Sequence, residues 1–133
     1  MPYLNLSKSK VLVIYKRDQC YTNNVFENIN SINSANTFLK NKIKFDYIDS
    51  DEINKDFNNN LLNKYHAIGI HYTVRLPYNQ VPEKIIEFLS GYKGLSFLFL
   101  QDEYNNTFRA HYWIKRLKIK LVFTCVPQEN IEK

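Results

Sequence analysis

The stretch Val11-Leu12-Val13-Ile14-Tyr15 decides the architecture. Its five consecutive aliphatic or aromatic residues, three of them β-branched, present no polar face to solvent. That is the pattern of a strand buried on both sides, as in a parallel sheet with helices above and below. The same signature returns further along the chain in Ala67-Ile68-Gly69-Ile70-His71, Ser96-Phe97-Leu98-Phe99-Leu100 and Leu121-Val122-Phe123-Thr124-Cys125-Val126, with a weaker version in Lys44-Phe45-Asp46-Tyr47-Ile48. Gly69, inside its run, marks a place where a neighbour packs closely.

Between these runs the period changes from two to about 3.6. Val25, Ile29, Ile32, Asn36 and Leu39 fall at spacings of four, three, four and three, one face of a helix, and Asn24 with Glu27 forms a capping-box pattern at its start. Ile53, Phe57 and Leu61 predict a second helix to about Lys64, although Asn58-Asn59-Asn60 is poor helix material. Pro82 suits the first turn of a third, with Val81, Ile85, Leu89 and Tyr92 as its buried stripe and Gly91 and Gly94 at its end. Asn105 or Asn106 caps a fourth, whose inner face carries Ala110, Trp113 or Ile114, and Leu117. Pro127 opens a last helical segment that runs to Lys133, and Met1 to Ser9 reads as a loose leader.

Strands alternating with helices make βαβ units, joined by right-handed crossovers. The expected fold is therefore a three-layer α/β/α Rossmann-like (flavodoxin-like) domain, 1–133, with a five-stranded parallel sheet in the order 2-1-3-4-5. The 133 residues suffice for one such domain, and a domain of this size buries roughly two-thirds of its unfolded-chain surface without a metal or disulfide staple. A content of 44% hydrophobic and 23% charged residues is that of a globular chain, and ten Tyr and nine Phe supply a bulky core.

The formal charge of +5, from 18 basic and 13 acidic residues, favours anionic partners such as phosphates, nucleotides or acidic lipid head groups. The densest basic run, Lys115-Arg116-x-Lys118-x-Lys120, lies where a helix ends and complements its dipole, or forms an anion-binding patch. The basic residues are otherwise dispersed, so nucleic acid is not an expected partner. Cys20 and Cys125 lie far apart in no metal-ligand spacing. With no signal peptide they read as reduced thiols of a cytoplasmic protein. No apolar stretch approaches the roughly 20 residues of a membrane helix, which leaves at most a peripheral membrane contact.

Ligands of open α/β sheets bind outside the carboxyl ends of the strands. That rule selects Lys16, Arg17 and Asp18 after the first strand; His71, Tyr72, Thr73 and Arg75 after the third; Gln101, Asp102, Glu103 and Tyr104 after the fourth; and Thr124 and Cys125 after the fifth. Asp102 and Glu103 follow a buried strand, where a carboxylate could accept a proton from a hydroxyl, cap the next helix, or pair with Arg75 or Arg109. His71 is a general base, a phosphate contact or a satisfied core imidazole. Arg75 carries a fork suited to a phosphate or carboxylate, or ties its loop to Asp102 or Glu103. The turn from Tyr15 to Tyr21 contains no glycine, so there is no dinucleotide fingerprint or phosphate-cradling loop. There is no G-x-S-x-G elbow and no zinc-binding cluster. His71 stands where a response-regulator receiver needs an aspartate.

Three blocks carry a resemblance: His71-Tyr72-Thr73-Val74-Arg75-Leu76-Pro77-Tyr78, then Phe99-Leu100-Gln101-Asp102-Glu103-Tyr104, then Leu121 to Pro127 with Ile131-Glu132-Lys133. In this order they resemble the amino-terminal portion of bacterial family-1-type glycosyltransferases, over Tyr65 to Lys133. The resemblance implies a two-domain GT-B enzyme in which a carboxyl-terminal domain holds the sugar nucleotide and the amino-terminal domain faces a glycan or glycolipid acceptor, with no metal or other cofactor. It implies that the chain is a truncated amino-terminal domain, inactive without its donor-binding domain. Gln101-Asp102 stands where many relatives place a His-Asp pair near the reacting sugar. On this reading Asp102 or His71 deprotonates the acceptor hydroxyl, and Arg17, Tyr72, Arg75, Gln101, Glu103 and Tyr104 contact substrate. The alternative is a non-catalytic flavodoxin-like module that binds a ligand or another protein.

Overall fold

The β-branched run at Val11 forms an interior strand of a parallel sheet in the computed structural model, which describes residues 9–19, 23–38, 42–53, 63–101, 106–127 and 129. The strands are β1 (Ser9–Tyr15), β2 (Ile43–Asp49), β3 (Ala67–Ile70), β4 (Leu95–Leu100) and β5 (Leu121–Thr124). Their order is β2-β1-β3-β4-β5, and every neighbouring pair is parallel. Among the described residues three helices accompany them: α1 (Asn23–Phe38), α2 (Glu83–Ser90) and α3 (Thr107–Arg116). This is a small α/β Rossmann-like domain. Two single turns of 3₁₀ helix, Arg17–Gln19 and Leu76–Tyr78, follow β1 and β3.

Alternation along the strands divides the side chains between two faces. Leu12, Ile14, Ile68, Ile70, Leu98 and Leu100 point to one face, where Ile85, Phe88 and Leu89 of α2 and Ala110 of α3 close over them. Leu117, just past α3, completes this main core. Val11, Val13, Ala67, Phe45, Tyr47 and Phe97 point to the other face. There α1 is the described cover: the Tyr47 hydroxyl donates to Asn33 Oδ1 at 2.8 Å, and Ile32 lines the same groove as Val11 and Val13. The cover is partial. An apolar groove of about 840 Å³ runs beside α1 toward β5, and Leu121 and Phe123 stay 43% and 48% exposed.

Several element ends differ from the sequence reading. Pro82 is the N-cap of α2 rather than a residue of its first turn, and Gly91 closes that helix with φ −91°, so no left-handed residue is needed there. Asn106 occupies the N-cap of α3, yet it has φ 61° and its side chain makes no capping hydrogen bond. β5 ends at Thr124 instead of Val126, because the Val126 N–H turns back to donate to Thr124 Oγ1 at 3.0 Å. β3 ends at Ile70, and His71 begins the following loop. Lys115 and Arg116 do lie in the last turn of α3. Ser9, expected to end the loose leader, is instead buried as the first residue of β1, where it pairs with Ile43. The rest of that leader, most of the predicted second helix, the side chain of Asn24, Cys20 and most of the segment after Pro127 lie outside the described residues. Among the described residues no helix is long and apolar enough to cross a membrane.

Candidate functional site

The loop after β3 is built from short hydrogen-bonded turns. Val74 N–H donates to the His71 carbonyl, Tyr78 N–H to that of Arg75, and Asn79 N–H to that of Leu76, each at 3.0 Å. Val74, Leu76 and Pro77 are buried and anchor the loop. Asn79 takes φ 57°, a region asparagine tolerates, and its Oδ1 accepts from Trp113 Nε1 of α3 at 2.9 Å. The loop is tied at both ends, so its side chains are presented from a fixed frame.

His71 is fully buried at the base of this loop. The Thr73 N–H donates to His71 Nδ1 at 3.3 Å, which makes Nδ1 an acceptor and leaves the ring proton on Nε2. Nε2 then donates to Asn28 Oδ1 of α1 at 3.1 Å, while the Thr73 hydroxyl lies 3.0 Å from Nδ1 and accepts the Lys16 N–H at 3.0 Å. One imidazole thus joins the ends of β1 and β3 to α1. Burial pushes its pKa down to about 4, and it stays neutral at pH 7. Of the three roles open to His71 in the sequence, this is the geometry of a satisfied core imidazole.

Beside it lies a cavity of about 170 Å³ between the β3 loop and the end of β4, lined by residues 72–78 and 98–101. Tyr72, Arg75 and Gln101 of the predicted site meet here, together with Tyr78. The Arg75 guanidinium lies over the Tyr78 ring, its carbon 4.3 Å from the ring centre. Tyr78 is not among the strand-end residues that the sequence selects, although a signal for it exists: positions i and i+3 eclipse in a 3₁₀ turn, and Pro77 sits between the pair. Asn28 carried no such signal, since it meets His71 only through folding.

Arg17 stands apart, on the β1–β2 side of the rim. Its Nη2 donates to the Tyr15 hydroxyl at 3.2 Å and lies 4.0 Å from Glu52, while its Nε lies 4.0 Å from Asp49. Lys16 beside it is held by Asp51 at 2.9 Å and Asp18 at 3.5 Å, and the Asp51 hydrogen bond raises its pKa. Asp102, Glu103 and Tyr104 lie outside the described residues. Among the described residues no group of three or more His, Cys, Asp or Glu side chains is placed to hold a metal.

Known relatives add nothing to this picture. No protein family, no curated protein and no solved structure matches the chain.

Proposed function

We propose that this chain is the acceptor-side amino-terminal domain of a family-1-type GT-B glycosyltransferase, which moves a sugar from a sugar nucleotide to a hydroxyl of a glycan or glycolipid. One observation carries the reading. Two of the three blocks that resemble that family, the one from His71 to Tyr78 and the one that begins at Phe99, belong to different strand ends yet line the same rim cavity. In open α/β sheets that rim is where ligands bind.

Attack on an anomeric carbon requires the acceptor hydroxyl to lose its proton. Asp102, which directly follows Gln101 at the cavity wall, is the residue assigned to that step. His71 has both ring nitrogens engaged and is held neutral, so its part is to position the loop. Tyr72, Arg75 and Gln101 orient the acceptor. The donor nucleotide falls to a carboxyl-terminal domain, consistent with a glycine-free turn after β1 and with Lys16 and Arg17 facing carboxylates.

Titration with saccharides should move the amide resonances of residues 72–78 and of Gln101 at millimolar concentrations, while sugar nucleotides move few. No response to any saccharide at these residues, or tight nucleotide binding, defeats the reading. In a polypeptide carrying both domains, Asp102→Asn should lower transfer on the order of 100-fold or more. Unchanged transfer removes Asp102 from the role. The second reading, a non-catalytic binding module, is favoured by the engagement of His71 within the fold. It predicts that a two-domain polypeptide transfers no sugar at all.

A further inference from the structure

The rim cavity has a size, a wall chemistry and a charge, and together they narrow what the acceptor can be. We infer, resting on the acceptor-domain reading above, that the cavity is a subsite for a single six-membered sugar ring bearing a carboxylate or phosphate, with Arg75 as the group that recognises the anion.

Size comes first. The cavity of about 170 Å³ is of the same order as one that takes a single benzene ring, about 150 Å³, so one sugar ring is the unit that suits it. The lining includes two tyrosines, Tyr72 and Tyr78, a residue type against which the C–H face of a sugar can pack, and Gln101 and Thr73 as residues with hydrogen-bonding groups. Thr73 is largely committed to Lys16 and His71, so Gln101 is the more available of the two.

Among the described residues of the lining, Arg75 supplies the charge. It is the one charged side chain among the described residues of the lining, and among the described residues it has no carboxylate within ion-pair distance. The neighbouring cations at the rim differ in this respect, since Lys16 and Arg17 both face carboxylates. The guanidinium carbon lies 4.3 Å from the centre of the Tyr78 ring, a cation–π contact that takes none of the five N–H donors as a hydrogen-bond partner. That contact also restrains a long side chain in advance, so less rotamer freedom is lost when an anion binds. The loop beneath it is rigid for the reasons given above. A net charge of +5 adds a long-range attraction of the same sign.

The test uses the full chain and four probes: glucuronate, glucose 6-phosphate, glucose and inorganic phosphate, each followed by amide chemical shifts of residues 72–78 and 101. The two anionic sugars should bind at least tenfold more tightly than glucose or phosphate alone. Their affinity should fall several-fold between 50 and 300 mM salt, as expected of about one exposed ion pair, while that of glucose stays level. Arg75→Gln should reduce anionic sugars to the affinity of glucose, and Arg75→Lys should recover part of the loss, since lysine keeps the charge without the fork. Should Arg75→Gln fail to fold, the salt titration of the unaltered chain still decides. Equal, salt-independent binding of glucose and glucuronate overturns the anionic subsite and leaves the acceptor-domain reading standing. Phosphate binding as tightly as glucose 6-phosphate, with glucuronate no tighter than glucose, reduces the cavity to a bare anion site and overturns the inference. If no sugar moves these residues, the inference and the acceptor-domain reading fall together.

Discussion

Gly69 sits in register with Phe97 on the neighbouring strand, and the Phe97 ring occupies the space a side chain at position 69 would need. Gly69→Ala must push that ring toward the open groove, and it should destabilise the fold by about 1–3 kcal/mol in chemical denaturation. A substitution without effect would mean that the ring moves freely. His71 makes a different prediction, because its burial couples folding to protons. The folded chain keeps His71 neutral down to about pH 4, whereas an unfolded chain protonates it near pH 6.5. Between those values the unfolded state binds more protons. The contribution of His71 is therefore fully present above about pH 6.5 and is lost as the pH falls toward 4, by up to about 3 kcal/mol. His71→Gln should lower stability at pH 7 by about 1–3 kcal/mol by breaking the link between Asn28 and Thr73, and should also flatten this pH dependence. Parallel pH profiles for the two proteins would show that another group sets the slope.

At the scale of elements, α2 ends on a glycine it does not need. Gly91 has a negative φ, and a methyl group there would meet no atom within 4 Å. Gly91→Ala should thus stabilise the domain by about 0.4–1 kcal/mol, by restricting the unfolded chain, and raise its melting temperature. A lower melting temperature would indicate that the helix end needs a conformation closed to alanine. The β3 loop depends instead on a neighbouring element: the Trp113 indole of α3 donates to Asn79, the left-handed residue that turns the chain after Tyr78. Trp113→Phe keeps most of the apolar contact and removes that bond. It should loosen the loop, weakening saccharide binding at residues 72–78 more than it lowers overall stability, as amide exchange of the loop can show.

For the molecule as a whole, the unequal cover of the two sheet faces matters most. One face is closed by α2 and α3, and the other leaves Leu95, Leu121 and Phe123 in contact with water. Both edges of the sheet are short or carry charge: β5 has four residues, and β2 places Lys44 and Asp46 3.8 Å apart. The exposed apolar patch near β5 should make the chain associate with itself as its concentration rises, and Leu121→Lys should shift that onset upward in sedimentation or light scattering. An unchanged onset would clear the patch. Amide protons of the central strands β1, β3 and β4 should exchange last, since they are paired on both sides.

Strand identity and order were open to reading from the sequence, because continuous runs such as Val11 to Tyr15 have few other stable environments and right-handed crossovers restrict how such runs can connect. The close approach at Gly69 and the stripe of Ile85 and Leu89 were legible for the same local reason. The site was legible only as a list of strand ends. Which of those residues meet depends on contacts between segments far apart in the chain: Asn28 reaching His71, Trp113 reaching Asn79, Tyr72 and Arg75 facing Gln101 while Arg17 turns to Glu52. Such pairings leave no periodicity in the sequence, because they are set by how the helices and loops pack on the sheet, and only the tertiary structure decides them.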